Sequence, residues 1–145
     1  MISELFKKYV SKDEKAFSRE LYLDVDQLNL LKNYGMEIGS HGYDHFWLNS
    51  LNLREQKADI LKSLDLLKAV NNKRDKLIFC YPYGGYNKIT KKILNSYNFE
   101  AAVTTKVGLV DDSVKDILDL PRLDTNDLPK KNITKISHWT KKIIN

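Results

Sequence analysis

Two histidines, His41 and His45, stand four residues apart in the stretch Met36-Glu37-Ile38-Gly39-Ser40-His41-Gly42-Tyr43-Asp44-His45. Imidazoles at that spacing reach one metal ion once the chain turns helical, because residues i and i+4 then share a face. The same pair also suits a hydrogen-bonded chain turn, and the spacing leaves both readings open. Two histidines on a divalent ion leave positions for water and substrate, so that the water is acidified toward a pKa of about 7 and a carbonyl is polarised. Two further groups invite chemistry: Tyr81-Pro82-Tyr83-Gly84-Gly85-Tyr86, and Arg122 in Leu118-Asp119-Leu120-Pro121-Arg122-Leu123. Tyr43, Trp47, Tyr81 and Tyr86 have flat faces that suit either sugar rings or packing, and packing is the expectation for Trp47.

Each of these groups follows an apolar segment that reads as a strand. Met36 to Gly39 is one, and the continuous run Leu77-Ile78-Phe79-Cys80-Tyr81, stopped by Pro82, is another. Phe99 to Thr105 is a third, and Leu118 to Leu123 a short one weakened by its proline. Helices are expected between them. Asp24 caps Val25 to Tyr34, with Gly35 closing it. Asn52-Leu53-Arg54-Glu55 opens a helix to about Val70, whose inward face is Ala58, Leu61, Leu64 and Leu67 or Val70. Asn87 caps Ile89 to Tyr97, and Asn132 precedes a terminal helix from Ile133 to Ile144. A short amphipathic helix is expected over Ile2 to Val10, a charged loop over Ser11 to Arg19, and a polar connection over Asn71 to Asp75. Alternating strands and helices place the chain in the α/β class, with βα units on a mainly parallel sheet or partial (β/α) barrel. In such folds functional groups collect at the C-terminal ends of the strands, where all three groups fall.

A chain of 145 residues, 42% hydrophobic and 30% charged, suits a single globular domain over 1–145. No apolar run approaches the roughly 18 residues of a membrane span. The start, Met1 to Lys8, lacks the pattern of a secretion signal, which leads to the expectation of a cytoplasmic protein. Cys80 is the single cysteine, so neither a disulfide within the chain nor a cysteine-based zinc site is available. The net charge of +5 comes from Lys130, Lys131, Lys135, Lys141 and Lys142. The rest of the 24 basic residues balance the 19 acids, and the tail reads as a solvated helix face, not a nucleic-acid contact.

The segment Glu37 to His45 resembles the second motif of the NodB-type polysaccharide deacetylases, carbohydrate esterase family 4. Asp24 to Met36 resembles the helix that leads into that motif, Phe79-Cys80-Tyr81-Pro82-Tyr83-Gly84 its third motif, and Leu120-Pro121-Arg122-Leu123-Asp124 a late strand. The resemblance runs in order from about Leu21 to Asp124. It implies His41 and His45 as ligands of a divalent metal, with zinc the expected ion. It also implies an N-acetylated oligo- or polysaccharide as substrate, and hydrolysis of its acetamide with metal assistance. Within that scheme the Tyr83 backbone N–H faces the oxyanion and Arg122 sits near the reacting group. Tyr81, Pro82, Tyr43 and Tyr86 line the sugar groove.

Departures from the family pattern are equally specific. The family's first motif, an Asp-Asp pair on the first strand, supplies a base and a third ligand, and nothing like it precedes His41. Asp24 and Asp26 belong to an expected helix. Cys80 occupies a position where an arginine often stands, and His138 is the histidine left for a general acid, although a surface role suits it better. The expectation is a NodB-type partial barrel without its first strand or strands, and a lone chain of little activity. Two alternatives stand beside it: an inactive sugar- or partner-binding module, and a site completed by another chain. An uncovered sheet edge would also favour a homo-oligomer.

Overall fold

The computed structural model describes residues 2–71, 76–112, 114–127 and 138–144. These fall into two units, residues 1–38 and 39–145.

The first unit is helical. Helix α1 (Ile2–Tyr9) is followed by α2 (Glu14–Leu21) and α3 (Val25–Asn33). The charged stretch expected as a loop over Ser11 to Arg19 is therefore largely helical, and α2 corrects that expectation. Asp13 caps it by accepting a hydrogen bond from the Ala16 N–H at 2.9 Å. Phe17 meets Phe6 of α1 edge-on at 5.3 Å between ring centres. One aromatic contact and one cap thus organise a segment whose charges hide its periodicity. Asp24 caps α3 with a full capping box through Gln27. Gly35 closes it at φ +83°, with the Met36 N–H donating to the Leu31 carbonyl as in a Schellman end.

The second unit holds the sheet. Strands β1 (Ile78–Cys80), β2 (Ala101–Val107) and β3 (Leu120–Arg122) lie parallel in that order. The segment Met36 to Gly39, expected as a strand, contains none. What survives is a single parallel bridge from Ser40 to Phe79: the Ser40 N–H donates to the Ile78 carbonyl and the Cys80 N–H to the Ser40 carbonyl, both at 2.8 Å. Pro121 is tolerated in β3 because that strand is the last of the three. The β2–β3 ladder is irregular between Val103 and Val107, and the Thr104 hydroxyl bridges the gap by donating to the Leu120 carbonyl at 3.0 Å.

Helix α4 (Leu53–Val70) covers the sheet beside α5 (Lys88–Ser96), each opened by an asparagine capping box, Asn52 with Glu55 and Asn87 with Thr90. The core joins Leu48, Ile60, Leu64, Phe79, Tyr81, Leu94 and Ala102, none more than 3% exposed. Of the face expected for α4, Leu64, Leu67 and Val70 are buried and Leu61 packs against the core, but Ala58 does not join them. Ala58 is exposed and Leu61 half-buried, whereas Gln56, Asp59, Ile60, Ser63, Leu64, Leu67 and Val70 are buried. Three polar side chains on that stripe carry the difference. Gln56 accepts from the Thr90 hydroxyl of α5 at 2.7 Å and donates to the Leu51 carbonyl at 2.8 Å. Asp59 and Ser63 face the histidine loop, so burial follows hydrogen-bond partners and not hydropathy alone. The terminal helix is described over His138–Ile144 (α6); the expected cap Asn132 and first turn, with most of the polar connection after Val70, lie outside the described residues.

Candidate metal and substrate site

His41 and His45 come together. Their Nε2 atoms are 3.1 Å apart and their ring centres 4.7 Å apart. His41 Nδ1 lies 2.7 Å from the Cys80 carbonyl, which only accepts, so Nδ1–H donates to it, and the electron pair of the neutral ring sits on Nε2, where the His45 Nε2–H donates. That tautomer is the one a ligating histidine needs, held by the kind of backbone partner that orients metal ligands. The Nε2 separation is one that a single ion with nitrogen bonds of about 2.0–2.1 Å spans. Among the described residues no group of three or more His, Cys, Asp or Glu side chains gathers at one point, so these residues present two candidate ligands there and no third.

The loop that brings the two rings together is strained and anchored. Gly42 has φ +74° and His45 φ +57°, the latter uncommon for a residue with a side chain. The carboxylate of Asp59, 3% exposed on α4, accepts from the backbone N–H of Tyr43 at 3.1 Å and of Asp44 at 2.8 Å. One residue before the loop, the Ser63 hydroxyl donates to the Ile60 carbonyl and leaves its oxygen to accept from Ser40 at 2.8 Å. Lys62 adds a longer contact to Asp44 at 3.5 Å and stands 5.0 Å from the Tyr43 ring centre. Sequence reasoning missed Asp59 and Ser63. Their signal was a run of polar residues, Gln56, Asp59 and Ser63, at helical spacing on the stripe that also carries Ile60, Leu64 and Leu67.

Tyr83 forms the opposite side. It sits in the turn Pro82–Gly84 at φ +53°, 62% exposed, with its ring 4.7 Å from His45 and 5.1 Å from Trp47, both edge-on. Gly84, at φ +69°, follows because a Cβ there would stand 2.2 Å from the Thr105 hydroxyl oxygen of β2. Tyr43, Tyr83 and Trp47 are all more than half exposed.

Three of the expected groove residues are placed elsewhere. Tyr81 is 1% exposed, and its hydroxyl donates to the Leu118 carbonyl at 2.7 Å, which makes it a core residue with no face for a ligand. Burial pushes its phenol well above the usual range, with Tyr86 and the aspartates beyond it adding to the effect. Pro82 is buried beside it. Tyr86 stacks on Tyr81 at 4.3 Å and donates to Asp119, so its ring is a link between core and surface. Around it, Lys106 reaches Asp119 at 2.8 Å, and Lys91 reaches Asp116 at 2.8 Å and Asp119 at 3.2 Å. Arg122 is exposed at the end of β3 and donates through Nε to the Thr104 carbonyl at 2.9 Å. It lines a cavity of about 130 Å³ with Thr105, Val107, Asp124 and Asp127, and its hydrogen-bond partner is Thr104, not the histidine pair. His138 opens α6, exposed and edge-on to Trp139.

Similarity to known proteins bears on this arrangement. The polysaccharide deacetylase family model matches residues 3–102. The Bacillus subtilis (strain 168) protein "Putative polysaccharide deacetylase YxkH" is 29% identical over 94 residues, which cover 65% of this chain and 33% of that protein. Among solved structures, the Streptococcus pyogenes deacetylase PplD in complex with acetate is 28% identical at a TM-score of 0.64, over 72% of this chain and 46% of the other. IcaB from Ammonifex degensii shares the fold at a TM-score of 0.59 and 21% identity, over 72% of this chain and 49% of its own. The chain thus spans a third of the length of the curated relative and just under half of each structure. With the family model covering most of its length and the histidine loop of the second motif in place, this chain belongs to the polysaccharide deacetylase family.

Proposed function

We propose that His41 and His45 hold a divalent metal ion in a site that removes acetyl groups from an N-acetylated polysaccharide. The observation that carries this reading is the convergence of the two Nε2 atoms, with the His41 tautomer set by the Cys80 carbonyl. A bound ion would supply Lewis-acid polarisation of the acetyl carbonyl and acidify a water molecule. The chain's own residues do the rest. His41 presents its Nε2 electron pair, and the Asp59-anchored loop fixes where His45 stands. By the family resemblance the Tyr83 backbone N–H would meet negative charge that develops on the carbonyl oxygen, and what supports the reading is the Tyr83 ring 4.7 Å from that of His45. Tyr43, Trp47 and Tyr83 offer exposed ring faces and edges to a sugar.

Two ligands are fewer than a catalytic site of this kind uses. We therefore infer that a carboxylate from outside the described residues completes the metal site and provides the base, on another segment or another chain. The three parallel strands would then form part of a larger (β/α) barrel, a reading supported by their order and by the likeness to PplD. Self-association through a sheet edge is the corresponding proposal for the isolated chain.

Cobalt(II) or zinc titration followed by calorimetry tests the reading. The purified chain is expected to take up one ion weakly, to lose that uptake in His41→Ala, and to release acetate from N-acetylglucosamine oligomers at or near background. No ion uptake by the intact chain would overturn the metal assignment. Tight uptake with turnover would overturn the inference of an external carboxylate.

A further inference from the structure

Resting on the metal reading of the histidine pair, we propose that Asp59 is the positioning residue for that pair. Its carboxylate is the template on which the loop between the two ligands is wound. Four observations carry this. Asp59 is 3% exposed and projects from α4, the longest helix among the described residues, so its own position is fixed by packing. Its two oxygens each take one backbone N–H from the residues that immediately precede His45. Gly42 is in the loop because the carboxylate lies so close: a Cβ at that position would stand 2.8 Å from Asp59 Oδ2. One turn further along the same helix, Ser63 holds Ser40, the residue before His41. The pair is thus bracketed from one rigid helix, with Asp59 controlling the His45 end and Ser63 the His41 end.

The physical need for such a template follows from the backbone. Gly42 at φ +74° is a conformation glycine adopts freely, but His45 at φ +57° is one that a residue with a side chain holds only when its surroundings fix it. A carboxylate that satisfies two adjacent N–H groups leaves the loop few ways to relax without orphaning a buried acceptor. Asp59 touches neither imidazole ring in a hydrogen bond, so its effect on the metal passes entirely through loop geometry.

Asp59→Asn tests this, because it keeps the shape and turns one acceptor into a donor that faces an N–H. The expected result is a 10–100-fold weaker cobalt(II) affinity, the usual cost of losing a group that orients a ligand. Faster hydrogen exchange at the Tyr43 and Asp44 amides is expected in the metal-free chain. The control is Leu67→Ala, which removes a buried side chain at the far end of α4 and is expected to lower stability while leaving both readouts unchanged. Equal losses in the two variants would reduce Asp59 to a stability role and overturn the proposal. Should Asp59→Asn fail to fold, Gly42→Ala displaces the loop from the carboxylate and is expected to give the same loss of affinity and protection. Unchanged affinity and protection there would also overturn it. If the intact chain takes up no cobalt, the metal reading fails; the amide protection still decides whether Asp59 holds the loop.

Discussion

The loop from His41 to His45 and the turn from Pro82 to Gly85 each contain a non-glycine residue at positive φ, His45 at 57° and Tyr83 at 53°, yet they are held by unlike means. The histidine loop is tied down from below by a buried carboxylate and a buried hydroxyl, both on one helix. The Tyr83 turn is wedged against β2 at Gly84, and its flank at Tyr86 is tied to a half-exposed cluster of Asp116, Asp119, Lys91 and Lys106. Buried hydrogen bonds resist salt and moderate pH, whereas exposed ion pairs do not. The histidine side of the site is therefore expected to hold its order across solution conditions, and the Tyr83 side to respond to them.

The largest test of this contrast is steric. Gly84→Ala places a methyl group 2.2 Å from the Thr105 hydroxyl oxygen at a φ that L residues resist. The expected loss is about 2–5 kcal/mol of unfolding free energy in urea, from overpacking together with left-handed strain. A loss under 1 kcal/mol would show that the turn is not wedged at all.

Next in size is the response to acid. Hydrogen bonding from Lys91 holds the Asp116 carboxyl below the ordinary 3.8, against a smaller cost of burial. For Asp119 burial pulls upward, but Lys106, Tyr86 and Lys91 together prevail and its carboxyl also lies below 3.8. A depressed carboxyl contributes stability above its unfolded value and loses it as the pH falls through the folded one. The melting-temperature difference between the natural chain and Asp119→Asn should therefore be flat through the neutral range and shrink below pH 3.8. On the alkaline side, Lys106 is raised by Asp119 and Tyr86, and Lys91 by the two aspartates despite partial burial. Their contribution is present below 10.5 and is lost as the pH rises through the folded values. A difference that stays constant into acid would mean that the cluster does not support the turn.

Smallest is Tyr86→Phe, which removes the hydroxyl that donates to Asp119 and keeps the ring stacked on Tyr81. About 1 kcal/mol is expected in urea denaturation. In about 1 M salt the melting temperature of the natural chain should move toward that of the variant, while the Tyr43 and Asp44 amide protection holds. If those amides lose protection in salt, the contrast between the two loops disappears.

The sequence was most legible where local chemistry decides the outcome. The caps Asp24, Asn52 and Asn87 each make the expected side-chain bonds, because a cap needs only its own first turn. The histidine pair stood out by its spacing, but the shared helix face that spacing presumed is absent: residues 41–45 form a loop, with Gly42 and His45 at positive φ, that brings the rings together instead. Features that depend on tertiary partners were not legible. Asp59 and Ser63 lie on the buried stripe of α4 beside the expected Leu64, Leu67 and Val70, because their side chains find partners in the histidine loop, whereas Ala58 stays exposed. Tyr81 and Tyr86 looked alike in sequence, suited either to a sugar groove or to packing, and the Leu118 carbonyl and the Asp119 carboxylate decide for packing by accepting from their hydroxyls. Met36 to Gly39 had a strand's composition, but composition names no ladder partner, and the pairing with β1 on that side is the single bridge at Ser40, just after the segment.

The bond from His41 to the Cys80 carbonyl has a consequence for assembly as well as for ligation. Cys80 offers that oxygen in the required direction only while β1 is paired with Ser40 in the observed register, because a slip of one residue turns every group on a strand to its other side. A misregistered β1 would leave His41 free to put its proton on either nitrogen. The tautomer of His41 is therefore tied to the pairing beneath it: one contact to the Cys80 carbonyl joins the histidine loop to the register of the sheet.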